Sequence, residues 1–199
     1  QLKDPFLWLE EIDGARQLDW VRRMNSATMK SLGKKPEYAR IYRQCLEVLD
    51  SAGKIAHPSI KGGYIYNFWK DRDHQRGIWR RAARTGYLGG KPKWETLIDM
   101  DRLSKRGGVR WDFHGAAGLH PKYDRFLVHL SPGGGDATVI REYDPDRRAF
   151  VDEGFTLEKS KGSAVYLDRD RLLVFRDFGR GTLTTSGYPR QARLWRRGT

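Results

Sequence analysis

The sequence predicts an α+β chain that is mostly β: an N-terminal helical segment followed by an incomplete β-propeller. Three observations carry this expectation. Apolar residues recur at helical spacing up to about residue 50 and at strand spacing from about residue 55 onward. The strand-like runs are short and are separated by Gly, Pro and Asp turns. Finally, a two-strand pattern ending in an apolar pair and Arg returns every 50–60 residues or so, close to the ~40–50 residues of a propeller blade.

Residues 13 to 50 read as two helices. Asp13 is placed to act as an N-cap, and Ala15, Leu18, Val21, Met24, Thr28 and Leu32 then recur at three- and four-residue steps until Gly33. Pro36 suits a first helical turn. Behind it Tyr38, Ile41, Tyr42, Cys45, Leu46 and Leu49 form one stripe, closed by Asp50-Ser51-Ala52-Gly53. Cys45 is the sole cysteine, so neither an internal disulfide nor a cysteine zinc site can form, and its place in the stripe predicts a core thiol.

Strands are expected at Tyr64–Trp69, Gly77–Arg81, Trp94–Asp99, Val109–Phe113, Phe126–Leu130, Thr138–Tyr143, Ser163–Leu167, Leu172–Arg176 and Gln191–Arg196. Val109, Trp111 and Phe113 alternate with Arg110 and Asp112, the period of a half-buried strand. Tyr64–Asn67, Arg125–Val128 and Arg171–Val174 open the three repeats, and Ile78–Arg81, Val139–Arg141 and Leu194–Arg197 follow them. The chain therefore divides into a helical segment, 1–52, and a partial propeller, 53–199, of about two and a half blades. Closure needs ~4–8 blades, so the chain is expected to be part of something larger.

The 38 Lys and Arg against 25 Asp and Glu give a net charge of +13 and a pI near 10.0. Such a charge is compatible with a nucleic-acid binder. The basic residues are scattered beside Asp, however, as in Asp71-Arg72-Asp73 and Asp168-Arg169-Asp170-Arg171, and no block of five like charges occurs. Nucleic-acid binding is thus the least favoured reading, and a steep salt dependence would be its mark. The longest apolar runs are a few residues, far below the ~18 of a membrane-spanning helix, so no membrane partner is expected.

Catalytic signatures are sparse. There is no Gly-x-Ser-x-Gly; the nearest fragment, Asp50-Ser51-Ala52-Gly53, has Leu49 where the first Gly should stand. Pro132-Gly133-Gly134-Gly135-Asp136 lacks the Lys-Ser/Thr of a phosphate loop and reads as a hairpin turn. His57, His74, His114, His120 and His129 offer no pair at metal-ligand spacing. His114 and His120, flanking a Gly-Ala-Ala-Gly-Leu loop, are read as turn or surface residues. Trp79 and Trp195 stand at equivalent points of the repeat, as core packing between blades requires. No catalytic, cofactor-binding or metal-binding residue is assigned within the chain, and no cofactor is expected.

The opening Asp4-Pro5-Phe6-Leu7-Trp8-Leu9-Glu10, with Leu18, Trp20-Val21 and Asn25, resembles the start of the prolyl oligopeptidase family of serine peptidases. The likeness continues through Gly63–Trp69, His74, Arg76-Gly77, Trp79-Arg80-Arg81, Trp94-Glu95-Thr96-Leu97 and Ser186-Gly187-Tyr188-Pro189-Arg190. The resemblance implies a larger enzyme, in which an α/β-hydrolase domain carries Ser, Asp and His beneath a seven-bladed propeller that gates access for short peptides. Residues 1–52 would pack on that hydrolase domain, the triad would lie downstream of Thr199, and this chain would be inactive alone. The implied activity is hydrolysis of short peptides after proline; a non-enzymatic propeller-type module that binds peptides or proteins is the other reading. A cytoplasmic location is expected, with a periplasmic one left open because the sequence starts at Gln1 rather than Met. The helical stripe, lacking its partner, would favour self-association.

Overall fold

Helix and strand fall into separate units in the computed structural model, which describes residues 4–11, 13–51 and 53–199. One unit is Gln1–Ser51 and the other Ala52–Thr199.

In the first unit a 3-10 turn at Leu7–Leu9 precedes α1 (Ala15–Ser31) and α2 (Pro36–Asp50). Gly14, not Asp13, occupies the N-cap of α1, with no side-chain cap bond. The buried Gln17 instead ties the helix to the opening motif by donating to the Trp8 carbonyl. Trp8 also packs edge-on against Trp20 and beneath the Arg16 guanidinium. Pro36 sits in the first turn of α2 as expected, preceded by an extended Lys35, because a residue before proline avoids the helical region. The α2 stripe forms, with Tyr38 and Tyr42 stacked at 6.3 Å, but Cys45 is exposed and no residue of α2 is buried. The expectation of a core thiol is therefore corrected: spacing put Cys45 on the apolar face, but that face is not covered. Ala52, part of the expected closing turn, lies outside the described residues.

The second unit contains three antiparallel meanders among its described residues. The first has the order β1 (Ser59–Lys61), β2 (Tyr64–Trp69), β3 (Ile78–Ala83) and β4 (Glu95–Asp99). The second runs β5 (Trp111–Gly118), β6 (Phe126–Pro132), β7 (Thr138–Asp144) and β8 (Ala149–Phe150), with β9 (Thr156–Ser160) also pairing with β7. The third is β10 (Ser163–Asp168), β11 (Arg171–Phe175) and β12 (Ala192–Arg196). The repeated pattern in the sequence marks the second and third strands of each sheet. Two short helices, α3 (Arg84–Leu88) and α4 (Met100–Gly107), were not anticipated. Neither is long enough to show a clear period. Capping defines α4: Asp99 accepts the Arg102 N–H at 3.0 Å, and Gly108 ends the helix with φ +62°.

Two expectations about β5 are corrected. Val109 precedes the strand, and Gly115–Gly118, read as a loop, is strand. The pairing with β6 shifts register between Phe113 and Gly115, where Gly115 takes φ +129°. This glycine-permitted irregularity is what hid the strand from a simple alternation test. Strand backbone therefore separates His114 from His120, whose ring packs edge-on against Tyr123 instead. Pro132–Asp136 does form the β6–β7 turn.

The sheets stack face to face around β6. Phe126, Val128 and Leu130 join Tyr66, Trp79, Leu97, Ile98, Met100 and Tyr143 in one core between the first and second sheets. Leu127, on the opposite face, joins Ile140, Phe155, Leu157, Ala164, Leu172 and Val174 between the second and third. Phe126, Leu127 and Val128 are all fully buried, so this strand is covered on both faces and loses its polar alternation.

Trp79 and Trp195 both pack between sheets, but not at equivalent points. Trp79 pairs with Phe68, near the end of β2, whereas Trp195 pairs with Leu172, near the start of β11. The connection before β12, residues 176–191, is longer than residues 70–77 before β3, and a longer loop permits the different register. Trp79 is deeply buried; Trp195 is half-buried against Phe155.

Candidate functional site

Antiparallel strands place successive turns alternately at the two ends of a sheet. The β2–β3 turn, the start of β5 and the β6–β7 turn consequently meet at one end. They enclose a cleft of about 350 Å³ lined by Phe68, Lys70, Arg76, Arg110, Asp112 and Phe113, with His114 and the backbone of Gly133 and Gly134. Phe68 and Phe113 stack at 4.8 Å. Gly133 and Gly134 both have φ +81°, a conformation that suits glycine, and a Cβ on Gly134 would lie 3.2 Å from Asp112 Oδ2. The glycines therefore let the turn close down on the carboxylate.

Asp112 is the centre of this cleft. Arg76 Nη1 lies 3.9 Å from Oδ1 and Arg110 Nε lies 3.8 Å from Oδ2, too far for hydrogen bonds. Oδ2 is buried and has no hydrogen-bond partner among the described residues. Arg76 is anchored through its backbone N–H, which donates to Asp101 Oδ2 at 3.1 Å. With Lys70 the cleft carries three cationic side chains and one carboxylate. Such a set can hold a peptide carboxylate on its cations and accept an amide or ammonium hydrogen on Asp112.

The nearby Asp71–His74 pair has the geometry of the orienting half of a catalytic triad, with Nδ1 and Oδ1 2.8 Å apart. Its roles are local, however. Oδ1 also accepts the N–H groups of Asp73 and His74, while Trp69 Nε1 donates to Oδ2 at 2.9 Å. Burial would raise the Asp71 carboxyl, but the His74 ring and these other donors hold it below its ordinary range. It is the pivot of the β2–β3 turn. His57 offers its carbonyl to Asn67, and on β6 the half-buried His129 has its pKa lowered by burial and by electrostatic repulsion from the neighbouring His114. Among the described residues no group of three or more His, Cys, Asp or Glu is arranged to hold a metal, and no helix is long and apolar enough to cross a membrane.

Two arginines pin the sheets beneath the cleft. Arg81 donates from Nε to Glu95 and from Nη1 to Asp146, each at 2.8 Å, with its guanidinium 4.3 Å from the Tyr64 ring. Desolvation opposes the Arg81 charge, but these acceptors outweigh it and keep the group protonated. Arg197 makes a bidentate pair with the buried Glu142 at 2.8 and 2.9 Å, joining the third sheet to the second. Glu142 also accepts from Tyr166 Oη and from the Phe155 N–H. The fourth position of the second sheet is split between β8 and β9, and the intervening chain turns the Phe155 N–H toward the carboxylate.

No residue of the cleft was singled out from the sequence as functional. Arg110 and Asp112 were visible as the polar half of an alternating run. Only the fold shows that Arg76 and Lys70, from another sheet, face them.

These face-to-face meanders, with first strands β5 and β10 lying against each other, define the class: blades of a β-propeller. Residues 1–199 match the family described as prolyl oligopeptidase, N-terminal beta-propeller domain, and the chain belongs to that family. It is 39% identical over 196 residues to an uncharacterized peptidase of Sinorhizobium fredii, covering 98% of this chain and 27% of that protein. A prolyl endopeptidase of Elizabethkingia miricola is 25% identical over 153 residues, covering 77% of this chain and 20% of its own length. The solved structure of a post-proline cleaving enzyme from Rickettsia typhi superposes with a TM-score of 0.88 at 32% identity, covering 96% of this chain and 29% of that one. The chain thus spans between a fifth and three tenths of the length of these relatives.

Proposed function

We propose that the chain is the N-terminal part of a serine endopeptidase that cleaves short peptides after proline, and that its blades restrict access to a catalytic domain elsewhere in that protein. The observation that carries this reading is the agreement over nearly the whole chain with the post-proline cleaving enzyme of Rickettsia typhi. In this scheme a downstream serine attacks the peptide carbonyl, a histidine takes and returns its proton, an aspartate orients the histidine, and backbone amides hold the oxyanion. The contribution of this chain is steric and electrostatic. Its stacked sheets exclude folded proteins, and Lys70, Arg76, Arg110 and Asp112 present peptide-binding groups at one end.

The test uses the full-length protein and this chain side by side. The full-length protein is expected to hydrolyse a chromogenic peptide after proline and to be labelled by a fluorophosphonate, while the 23.1 kDa chain does neither. A full-length protein that cleaves no proline peptide, or labelling of the short chain, would overturn the reading.

The same reading gives the α2 stripe a partner in the full-length protein, the hydrolase domain. In the chain alone Tyr38, Ile41, Tyr42 and Leu46 are 41–61% exposed. Light scattering is expected to show species heavier than 23.1 kDa, shifting toward the monomer in Ile41→Glu/Tyr42→Glu. A monodisperse wild-type monomer would contradict this.

A further inference from the structure

A second and larger recess lies apart from the cleft, between α4 and β4 on one side and β7 and β8 on the other. It encloses about 900 Å³, within the ~300–1,000 Å³ range of ligand sites. Its apolar wall includes Leu103, Trp111 and Phe150, all partly buried against the core. Its polar wall consists largely of arginines: Arg102 and Arg106 from α4, Arg141 from β7 and Arg148 from the turn before β8. Asp99 is the single acidic residue in the lining, and its carboxylate already caps α4 and faces Arg102.

The charge is therefore not neutralised from within. Arg148 has only a 3.7 Å contact with Glu95, and among the described residues neither Arg106 nor Arg141 has an ion-pair partner. Arg141 lies over the Phe150 ring at 4.1 Å. A guanidinium placed over a ring leaves its N–H fork for a bidentate acceptor such as a carboxylate. A long flat basic surface, as nucleic acid requires, is not what this recess offers. It is a bounded trough with arginines along it and aromatic rings within it.

We propose that this trough binds an acidic peptide segment, its carboxylates on Arg106, Arg141 and Arg148 and an apolar side chain against Trp111 and Phe150. The inference does not depend on the peptidase reading, since it concerns a different surface and needs no catalytic domain.

The experiment is fluorescence anisotropy of labelled Glu-Glu-Phe-Glu-Glu with the purified chain at low ionic strength. Saturable binding is expected, with none for Gln-Gln-Phe-Gln-Gln. Arg106→Gln/Arg141→Gln should weaken binding by about tenfold or more, the loss of two charge-assisted contacts. Arg22→Gln/Arg43→Gln, on the helical unit, removes the same charge and should change it less than about twofold. Arg141→Lys, which keeps the charge but not the fork, should fall between. Circular dichroism verifies that each variant is folded. Absence of saturable binding, equal weakening by both double variants, or tighter binding of inorganic triphosphate than of the peptide would each overturn the proposal.

Discussion

Glu142→Ala is expected to destabilise the β unit by about 3–5 kcal/mol, read as a lower midpoint in urea denaturation. The carboxylate is fully buried and collects Arg197, Tyr166 and the Phe155 N–H. Its removal strips the more buried of the ion pairs that join the second and third sheets, Arg169 with Asp124 being the more exposed one. Arg197→Met should cost a similar amount, because it leaves the charge buried with neutral donors alone. The double variant Glu142→Leu/Arg197→Met should cost less than the sum of the two single losses, since no buried charge then lacks a partner, although the Phe155 N–H and Tyr166 Oη lose their acceptor. Additive losses in the double variant would show that the residues do not act as a pair.

The same group predicts an acid limit. Burial would raise the Glu142 pKa, but Arg197, the Phe155 N–H and Tyr166 lower it further than burial raises it, so the net shift is downward. A depressed folded pKa means that the stabilisation is fully present above the unfolded glutamate value of ~4.3 and is lost as pH falls through the folded value. Asp144 is also lowered, by the Arg147 and Asp146 N–H groups and by Arg125 acting against burial, and it adds to the same limb. Wild type should therefore lose stability steeply below about pH 4, and Glu142→Gln less steeply. Parallel pH profiles would refute this.

Trp79→Ala is expected to cost about 3–5 kcal/mol, the range for deleting a large buried aromatic side chain. Trp79 contacts rings of both sheets: Tyr66 at 5.6 Å, Phe113 at 5.7 Å, Phe126 at 5.2 Å and Tyr143 at 5.7 Å. The cavity could close only if the two paired sheets shifted toward each other, which their strand pairing and shared core resist. Trp195→Ala, at a half-exposed position contacting Phe155, should cost markedly less. Equal losses would restore the equivalence that the sequence repeat suggests and the strand register denies.

Much of the fold was legible because period and turn chemistry are local properties. Pro36 and the α2 stripe placed a helix where one stands, and Tyr64–Trp69 was delimited as β2 without error. Legibility ended where a local rule met a non-local neighbour. Gly115–Gly118 looked like a loop because glycine lowers strand propensity, yet pairing with β6 holds it extended. Cys45 looked buried because it shares a face with apolar residues, and whether such a face is covered is not encoded within the helix.

The sequence by itself determined the family, the blade repeat and the change from helix to strand, since each resides in residues close together along the chain. It also showed a charge of +13 without showing its distribution. Tertiary structure decided what that charge does. It buried Arg81 among Glu95, Asp146 and Tyr64, set Arg197 on Glu142, placed Arg76 and Arg110 about Asp112, and left Arg106 and Arg141 lining an open trough. An arginine's electrostatic role depends on the carboxylates and the solvent within a few ångströms of it, and those are set by which sheets meet.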